Sequence, residues 1–498
     1  MLSIEDRGPP PPCPPRLNLA RHVLAPARQS TRGTAIALLS PTRAERWSFE
    51  RLEAAVLGTA AGLLDAGLRP GDRLLLRLGH SLDVPVAFLA AAAVGIVPVP
   101  TAAGLTAREV DRLAALLRPR AVVAAEGIAQ PSQAPLRLSA ETLRGFRDRT
   151  PAAYADTGAE DPAYIVFTSG TSGGPRGVVH AHRAVHARRM MWEGWYGGLG
   201  PGDRMLHAGA LNWTFTLGTG VLDPIAAGGT ALIPAAGTEP RQLPLLLRRH
   251  DATLFAAAPG IYRRLLRDHL KVDLPRLRHG LTAGERMPAP LRAAWEEATG
   301  TAVHEAFGLS ECSTFVSGSP ARPAPSGHAG YPQPGRRVAV LGEDGAPLPR
   351  GAPGALAVAA SDPGLMIGYL GEPPVSGEWF LTGDVATMAE DGAIRHEGRL
   401  DEVMNPGGHR VSPAEVEDAL ADLAPCAALE VAVREGVRVV ALAYEGEPSL
   451  RAALEARAAE RLAPFKRPRL FRAVAALPRA GNGKLDRRAL RLSFEGET

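Results

Sequence analysis

Between residues 168 and 177 the chain reads TSGTSGGPRG: four glycines, four hydroxyl residues, one proline and one arginine. Glycines let successive backbone N–H groups turn into one concavity, and such a concavity binds anions. The hydroxyls of Thr168, Ser169, Thr171 and Ser172 add donors on either side of Gly170 and before Gly173, and Arg176 adds a fixed positive charge. A hydroxyl such as that of Thr171 also reaches a magnesium ion held on a phosphate. The set suits a polyphosphate, although the G-x-x-x-x-G-K-[ST] order of a Walker A loop is absent. A flexible Gly/Ser linker has the same composition. The apolar run Tyr164-Ile165-Val166-Phe167 reads as a strand leading into the loop. Sites in α/β sheets lie beyond the carboxyl ends of strands, which favours the phosphate reading.

A second feature is the lysine usage. Of 56 basic residues only Lys271, Lys466 and Lys484 are lysines. Where arginine is the default cation, a remaining lysine hints that a planar fork would not serve there. Lys484 ends the stretch Pro478-Arg479-Ala480-Gly481-Asn482-Gly483-Lys484.

The elements that must position these residues alternate in type. Residues 49–75 read as a helix closed by Arg69-Pro70-Gly71-Asp72, followed by a strand at 73–78. A helix at 84–94, a strand at 95–99, a helix at 106–117 and a strand at 121–125 come next. After residue 200 the alternation returns, with strands expected at 203–208, 252–257 and 302–306 and helices at 240–249, 260–268 and 289–299. Strands and helices at such intervals predict a parallel α/β sheet. From about 326 short β-rich pieces separated by Gly and Pro (337–341, 354–359, 379–382) predict a barrel or sandwich subdomain. From Asp401 a smaller α/β unit is expected, with helices at 413–423 and 450–462 and strands at 429–433 and 438–444.

Composition narrows the function. The chain has 498 residues, 45% apolar and 22% charged, with a net charge of +4. The charges are interspersed with no basic block, so nothing points to nucleic acid. Cys13, Cys312 and Cys426 are far apart, show neither metal spacing nor a disulfide framework, and fit a reducing cytoplasm. Residues 1–16 lack an apolar signal core and are proline-rich, so they read as an extended arm. The uncharged stretch Val84 to Ala107 carries three prolines, and a buried helix followed by a short strand accounts for it better than a membrane span.

The loop TSGTSGGPRG resembles the signature loop of the adenylate-forming enzymes: acyl-CoA synthetases, peptide-synthetase adenylation domains and luciferases. Members of that family usually carry lysine where this chain has Arg176. Other elements similar to the family's follow in its order over nearly the whole chain from residue 17. Thr282-Ala283-Gly284-Glu285 resembles the stretch that lines the adenine and acyl pockets. Phe307-Gly308-Leu309-Ser310-Glu311 resembles an element whose aromatic ring stacks on adenine, whose hydroxyl meets a phosphate and whose carboxylate binds Mg²⁺. Trp379-Phe380-Leu381-Thr382-Gly383-Asp384 is similar to W-x-x-T-G-D, which implies that Asp384 takes the ribose hydroxyls. Gly398-Arg399-Leu400-Asp401 resembles G-R-x-D, with Arg399 on ribose and α-phosphate and Asp401 as the hinge. The stretch from Asn405 to Glu417 looks like the small-domain loop, where Gly408 lets the CoA thiol arm pass and Arg410 lies beside it. The tail resembles P-R-x-x-x-G-K, which implies that Lys484 bridges the carboxylate and α-phosphate. The implied fold is α/β: a large domain over 17–400, its β-rich part from about 326 built like a barrel, and a small mobile domain over 401–498.

The resemblance implies ATP-dependent conversion of a carboxylic acid to an acyl-adenylate, then transfer to coenzyme A, with Mg²⁺ and a domain rotation between the steps. The alternatives are loading of an acyl carrier protein and a catalytically silent nucleotide-binding homologue. A homodimer is left open. For the acid, the segment HAGALNWTFTLGTG places Phe215 where amino-acid-activating relatives carry Asp, so no partner for an α-ammonium is evident. Trp213 and Phe215 suggest an apolar wall, although both rings could equally be core. The segment, with SPAEVE, most resembles benzoate-type and medium-chain acyl-CoA ligases, which implies an aryl or short-to-medium-chain acid.

Overall fold

The computed structural model describes residues 1–28, 33–168, 175–267, 273–400, 404, 406, 411–433, 438–479 and 485–494. A nine-stranded sheet runs through the chain's centre in the order Tyr331–Pro332, Ser313–Ser317, Val303–Leu309, His279–Ala283, Leu254–Ala256, Arg204–His207, Thr230–Pro234, Thr34–Leu39, Ala44–Ser48. Its middle strands pair in parallel, as the helix–strand alternation predicts, and its edges are antiparallel. A parallel four-stranded sheet has the order Val97–Pro100, Arg73–Arg77, Ala121–Ala124, Leu136–Ser139.

Helices fill the layers between. The helix Phe49–Asp65 starts at Ser48, whose side chain accepts from the Arg51 N–H. It ends well before Pro70, because Gly67 takes a left-handed φ of +94° and the Leu68 N–H returns to the Leu63 carbonyl. Two glycines inside it are packing requirements: a methyl on Gly62 would lie 2.1 Å from the Phe146 ring, and one on Gly58 would lie 2.4 Å from the Arg147 carbonyl oxygen. Every residue of the helix Asp83–Ala93 is buried, which accounts for its lack of a polar face. Among the described residues no helix is long and apolar enough to cross a membrane.

The β-rich part is an open five-stranded antiparallel sheet, Ile4–Asp6, Arg337–Leu341, Gly354–Ala359, Trp379–Met388, Ile394–Arg399. The N-terminal arm supplies one edge, with Glu5 opposite Val338. A separate three-stranded sheet, Cys426–Ala432, Arg438–Glu445 and Leu470–Val474, carries two hydrophobic clusters drawn wholly from residues 404–494. Its ties to the rest include ion pairs Arg286–Asp418 and Arg479–Glu285.

Candidate functional site

The glycine-rich loop joins two strands, Pro162–Thr168 and Arg176–Ala181, that pair antiparallel with Thr168 opposite Arg176. The two strands therefore form a hairpin; the third strand of this small sheet is Gly368–Tyr369. Ser169, Gly170, Thr171, Ser172 and Gly173 lie outside the described residues, as do Asp401, Asn405, Gly408, Arg410 and Lys484.

Arg176 stands at the root of the hairpin and is 41% exposed. Its Nη2 donates to both oxygens of Glu372 at 2.9 and 2.7 Å, and the guanidinium carbon lies 3.3 Å from the centroid of the Tyr369 ring. The Tyr369 hydroxyl donates to Glu311 Oε1 at 2.8 Å. Burial, together with the adjacent Glu311 carboxylate, raises the Tyr369 pKa, so the phenol stays a donor.

Glu311 sits in the turn between the strands Val303–Leu309 and Ser313–Ser317, and that turn is tight. The pairing slips between Phe307 and Gly308, Ser313 takes a φ of +60°, and a methyl on Gly308 would lie 2.2 Å from the Ser313 carbonyl oxygen. Only glycine fits there. The turn is fixed to the hairpin strand by His180, whose Nε2 lies 2.7 Å from the Ser310 carbonyl oxygen. A carbonyl only accepts, so Nε2 carries the proton. Burial holds this imidazole neutral, down to about 4, and Tyr164 stacks on it with centroids 4.6 Å apart.

On the neighbouring strand Ala283 pairs with Ala306, which sets Gly284 beside the Phe307 element. Gly284 has φ +91°, and a methyl there would meet Trp213 Cη2 at 3.0 Å. Trp213 is half-buried and stands edge-on to Phe215 at 5.3 Å. The two rings part in role: Phe215 is 4% exposed, packed among Trp195, Met205 and Leu281, and set edge-on to His207. Asp223, the buried acid further along the segment, is neutralised by Arg188 at 2.8 and 2.7 Å and by the Tyr196 hydroxyl at 2.6 Å. The Glu285 carboxylate is met by Arg479 at 2.5 Å. Arg479 and Leu485 bridge each other across 480–484, so the base of the Lys484 loop is docked at Glu285.

Asp384 is buried, 4% exposed, on the strand Trp379–Met388 opposite Arg399. Gly383 before it has φ +77°, and a methyl there would lie 2.8 Å from the Arg399 guanidinium. Asp384 Oδ1 faces His396 Nε2 at 2.9 Å and Oδ2 accepts from Arg399 at 3.2 Å. Burial alone would raise its pKa. The His396 hydrogen bond, with the charges of His396 and Arg399, outweighs burial and holds the carboxyl below the usual range. His396 also lies 5.0 Å from the Phe307 ring.

Two contact chains therefore meet at one hairpin turn: Glu372–Arg176–Tyr369–Glu311 from one side and Arg399–Asp384–His396–Phe307 from the other. Tyr369, Glu372, His180 and His396 were not foreseen; Arg176 and Glu372 are 196 residues apart, and nothing local marks them as partners. Among the described residues no three His, Cys, Asp or Glu side chains form a metal cage. Glu311 has one oxygen taken by Tyr369, and among the described residues nothing hydrogen-bonds the other. One hard carboxylate oxygen fits a magnesium ion that arrives on a triphosphate, which needs only one or two protein ligands.

The model of the AMP-binding enzyme family matches residues 26–370, more than half of the chain. Among characterised proteins, the chain is 28% identical to the benzoate–CoA ligase of Thauera aromatica over 98% of this chain and 99% of that one. It is 30% identical to the 3-hydroxybenzoate–CoA ligase of an Aromatoleum species (strain CIB) over 89% of this chain and 91% of that one. Its fold matches the crystal structure of the anthranilate CoA ligase AuaEII in complex with anthranoyl-AMP with a TM-score of 0.88, at 23% identity over 97% of this chain and 98% of that one.

Proposed function

The chain belongs to the AMP-binding enzyme family, and on that premise we propose that it activates an aryl or short-to-medium-chain carboxylic acid with ATP and passes the acyl group to coenzyme A. In the first step a carboxylate oxygen attacks the α-phosphorus, the bond to pyrophosphate breaks, and acyl-adenylate forms. In the second the CoA thiolate attacks the acyl carbon and AMP leaves. The carboxylate is already ionised near pH 7, so the first step needs alignment and charge neutralisation more than a base.

The residues divide the task. Asp384 accepts from the ribose hydroxyls, Arg399 steadies the ribose and α-phosphate, and Phe307 offers its face to adenine beside Ala283 and Gly284. The loop from Thr168 to Gly173 and Ser310 donate to the phosphates. Glu311, with Thr171, holds the magnesium ion, which when bound neutralises charge that would repel the incoming carboxylate. Trp213 over Gly284 forms the wall of the acyl pocket, with Phe215 as the packing behind it. The docking of Arg479 at Glu285 supports delivery of Lys484 to the carboxylate and α-phosphate. The clusters drawn wholly from 404–494 support a cap that turns at Asp401, bringing Gly408 and Arg410 to the thiol arm. The observation that carries the reading is the meeting of the Glu311 and Asp384 chains at one turn. Relatives named for benzoate and 3-hydroxybenzoate favour an aromatic acid, and the closure of Asp223 by Arg188 argues against an α-ammonium partner there.

The test is pyrophosphate release over a panel of benzoates, aliphatic acids and amino acids, with and without CoA. Turnover to an acyl-CoA with benzoates is expected. Adenylation without transfer to CoA would move the acceptor to a carrier protein, and no release with any acid would refute the proposal. Lys484→Ala should abolish adenylation yet spare thioester formation from supplied acyl-adenylate; equal loss of both would refute its role.

A further inference from the structure

Tyr369 is held as firmly as the carboxylate it touches. Its strand pairs with the hairpin, Gly368 opposite Val179 and Tyr369 opposite Val178. The Ile367 N–H donates to the Val179 carbonyl at 2.8 Å and the Leu370 N–H to the Gly177 carbonyl at 2.7 Å. One residue upstream, the Met366 N–H donates to the Glu311 main-chain carbonyl at 2.7 Å. The segment 366–372 thus straps the phosphate-loop hairpin to Glu311 by backbone and by side chain. The ring itself is clamped: the Arg176 guanidinium lies over it while its Nη2 donates to both oxygens of Glu372. The contact with the ring is the half of that clamp that favours a guanidinium, since an ammonium has no plane to set over the ring.

We infer that Tyr369 is a positioning residue that fixes the rotamer of Glu311, turning one carboxylate oxygen toward the metal nucleotide, and that Arg176 with Glu372 acts through Tyr369. The inference rests on the reading of Glu311 as the metal ligand. It gives Arg176 a part beyond that of a phosphate counter-charge and accounts for arginine at that position. A carboxylate free to rotate would have to be ordered when the metal nucleotide binds, and preorganisation removes that cost.

The test uses Mn²⁺ as the probe, with the full chain and a non-hydrolysable ATP analogue, reading free Mn²⁺ by electron paramagnetic resonance. Glu311→Gln should weaken Mn²⁺ binding in the ternary complex at least tenfold. Tyr369→Phe should weaken it about fivefold, the worth of one hydrogen bond, with the analogue's metal-free affinity unchanged. The Mg²⁺ concentration for half-maximal pyrophosphate release should rise by the same factor. Arg176→Lys should move both readouts in the same direction by about twofold, within the range of an exposed cation–π contact. If Glu311→Gln binds Mn²⁺ as the parent does, the reading of Glu311 falls. If Glu311→Gln fails to bind while Tyr369→Phe binds normally, the positioning role falls and the reading stands. Should Tyr369→Phe not fold, by circular dichroism and melting, Arg176→Lys decides the question, and an unchanged Mn²⁺ affinity in it overturns the inference.

Discussion

Replacing Asp384 by asparagine tests the nucleotide site at its most constrained atom pair. An ionised carboxylate offers about four lone-pair positions. In the structure one on Oδ1 faces His396 and one on Oδ2 faces Arg399. The Thr382 side chain also acts on the carboxyl, and the acceptor capacity left over would serve the ribose hydroxyls. Asparagine keeps the shape and the burial, yet one of its two ends is an NH₂ that only donates. Whichever way the amide turns, one ribose hydroxyl loses its acceptor, and His396 or Arg399 loses one too. A hydrogen bond to a charged group contributes roughly 1.5–3 kcal/mol, so ATP should bind about 10- to 150-fold more weakly.

Loss of affinity alone would not separate a ribose contact from general damage, because the variant also disturbs a buried ion pair. The discriminating assay compares ATP with its 2′,3′-dideoxy analogue by calorimetry. The parent protein should prefer ATP strongly, and Asp384→Asn should lose most of that preference. If both proteins prefer ATP by the same factor, the hydroxyls are not read by Asp384 and the argument fails, whatever happens to overall affinity. Thermal melting of both proteins records the fold cost separately.

Gly284→Ala puts a side chain at φ +91° and a methyl 3.0 Å from Trp213, so it should cost about 1–3 kcal/mol and raise the KM for a benzoate. Denaturant midpoints and acid-dependent kinetics check both, and a variant as stable as the parent would refute the strain. Buried His180, His182 and His304 are held neutral down to about 4, and His207 and His279 to about 3, in each case chiefly by burial. Their folded pKa values lie below the unfolded value, so the unfolded chain gains protons first as pH falls below about 6.5 and stability is lost on the acid side. By pH 5.5 each group costs on the order of 1 kcal/mol, and the losses all act in the same direction. Asp384 acts in the same direction at lower pH, since its depressed pKa contributes stability above the unfolded carboxylate value that is lost as pH falls through the folded one. Melting temperature should therefore begin to drop below about pH 6.5 and fall increasingly steeply toward about pH 4, and a flat profile across that window would contradict the burial of these rings.

Some elements were legible because their own residues determine them. The helix Ala289–Thr299 and the strands Arg337–Leu341 and Gly354–Ala359 fall where periodicity and turn residues put them. The helical run from Thr214 through Ala226 was not legible. Its sequence, TFTLGTGVLDPIA, is rich in residues that disfavour helix. Tertiary packing explains them: a methyl on Gly218 would lie 2.1 Å from the Arg188 guanidinium carbon, and one on Gly220 would lie 2.7 Å from His207 Cβ. The glycines are absent side chains whose space other residues fill, and no local pattern announces that.

The site divides along the same line. Arg176 could be nominated from its place in a glycine-rich loop, and Glu311 and Asp384 from the resemblance of their motifs to those of the adenylate-forming enzymes. Their partners could not. A buried carboxylate must find donors, but the requirement does not say which of 13 histidines and 56 basic residues supply them. Strand pairing makes that choice: it sets Asp384 opposite Arg399 and Tyr369 opposite Val178. Two of the unforeseen side chains, Tyr369 and His396, hold a nominated carboxylate by one oxygen, and Arg176 reaches Glu311 only through the ring it covers. The geometry of the charged groups is thus a property of sheet register. A substitution that shifts register by one residue, while leaving every nominated residue in place, would turn the Tyr369 phenol to the opposite face of its strand and leave Glu311 without the donor that fixes it.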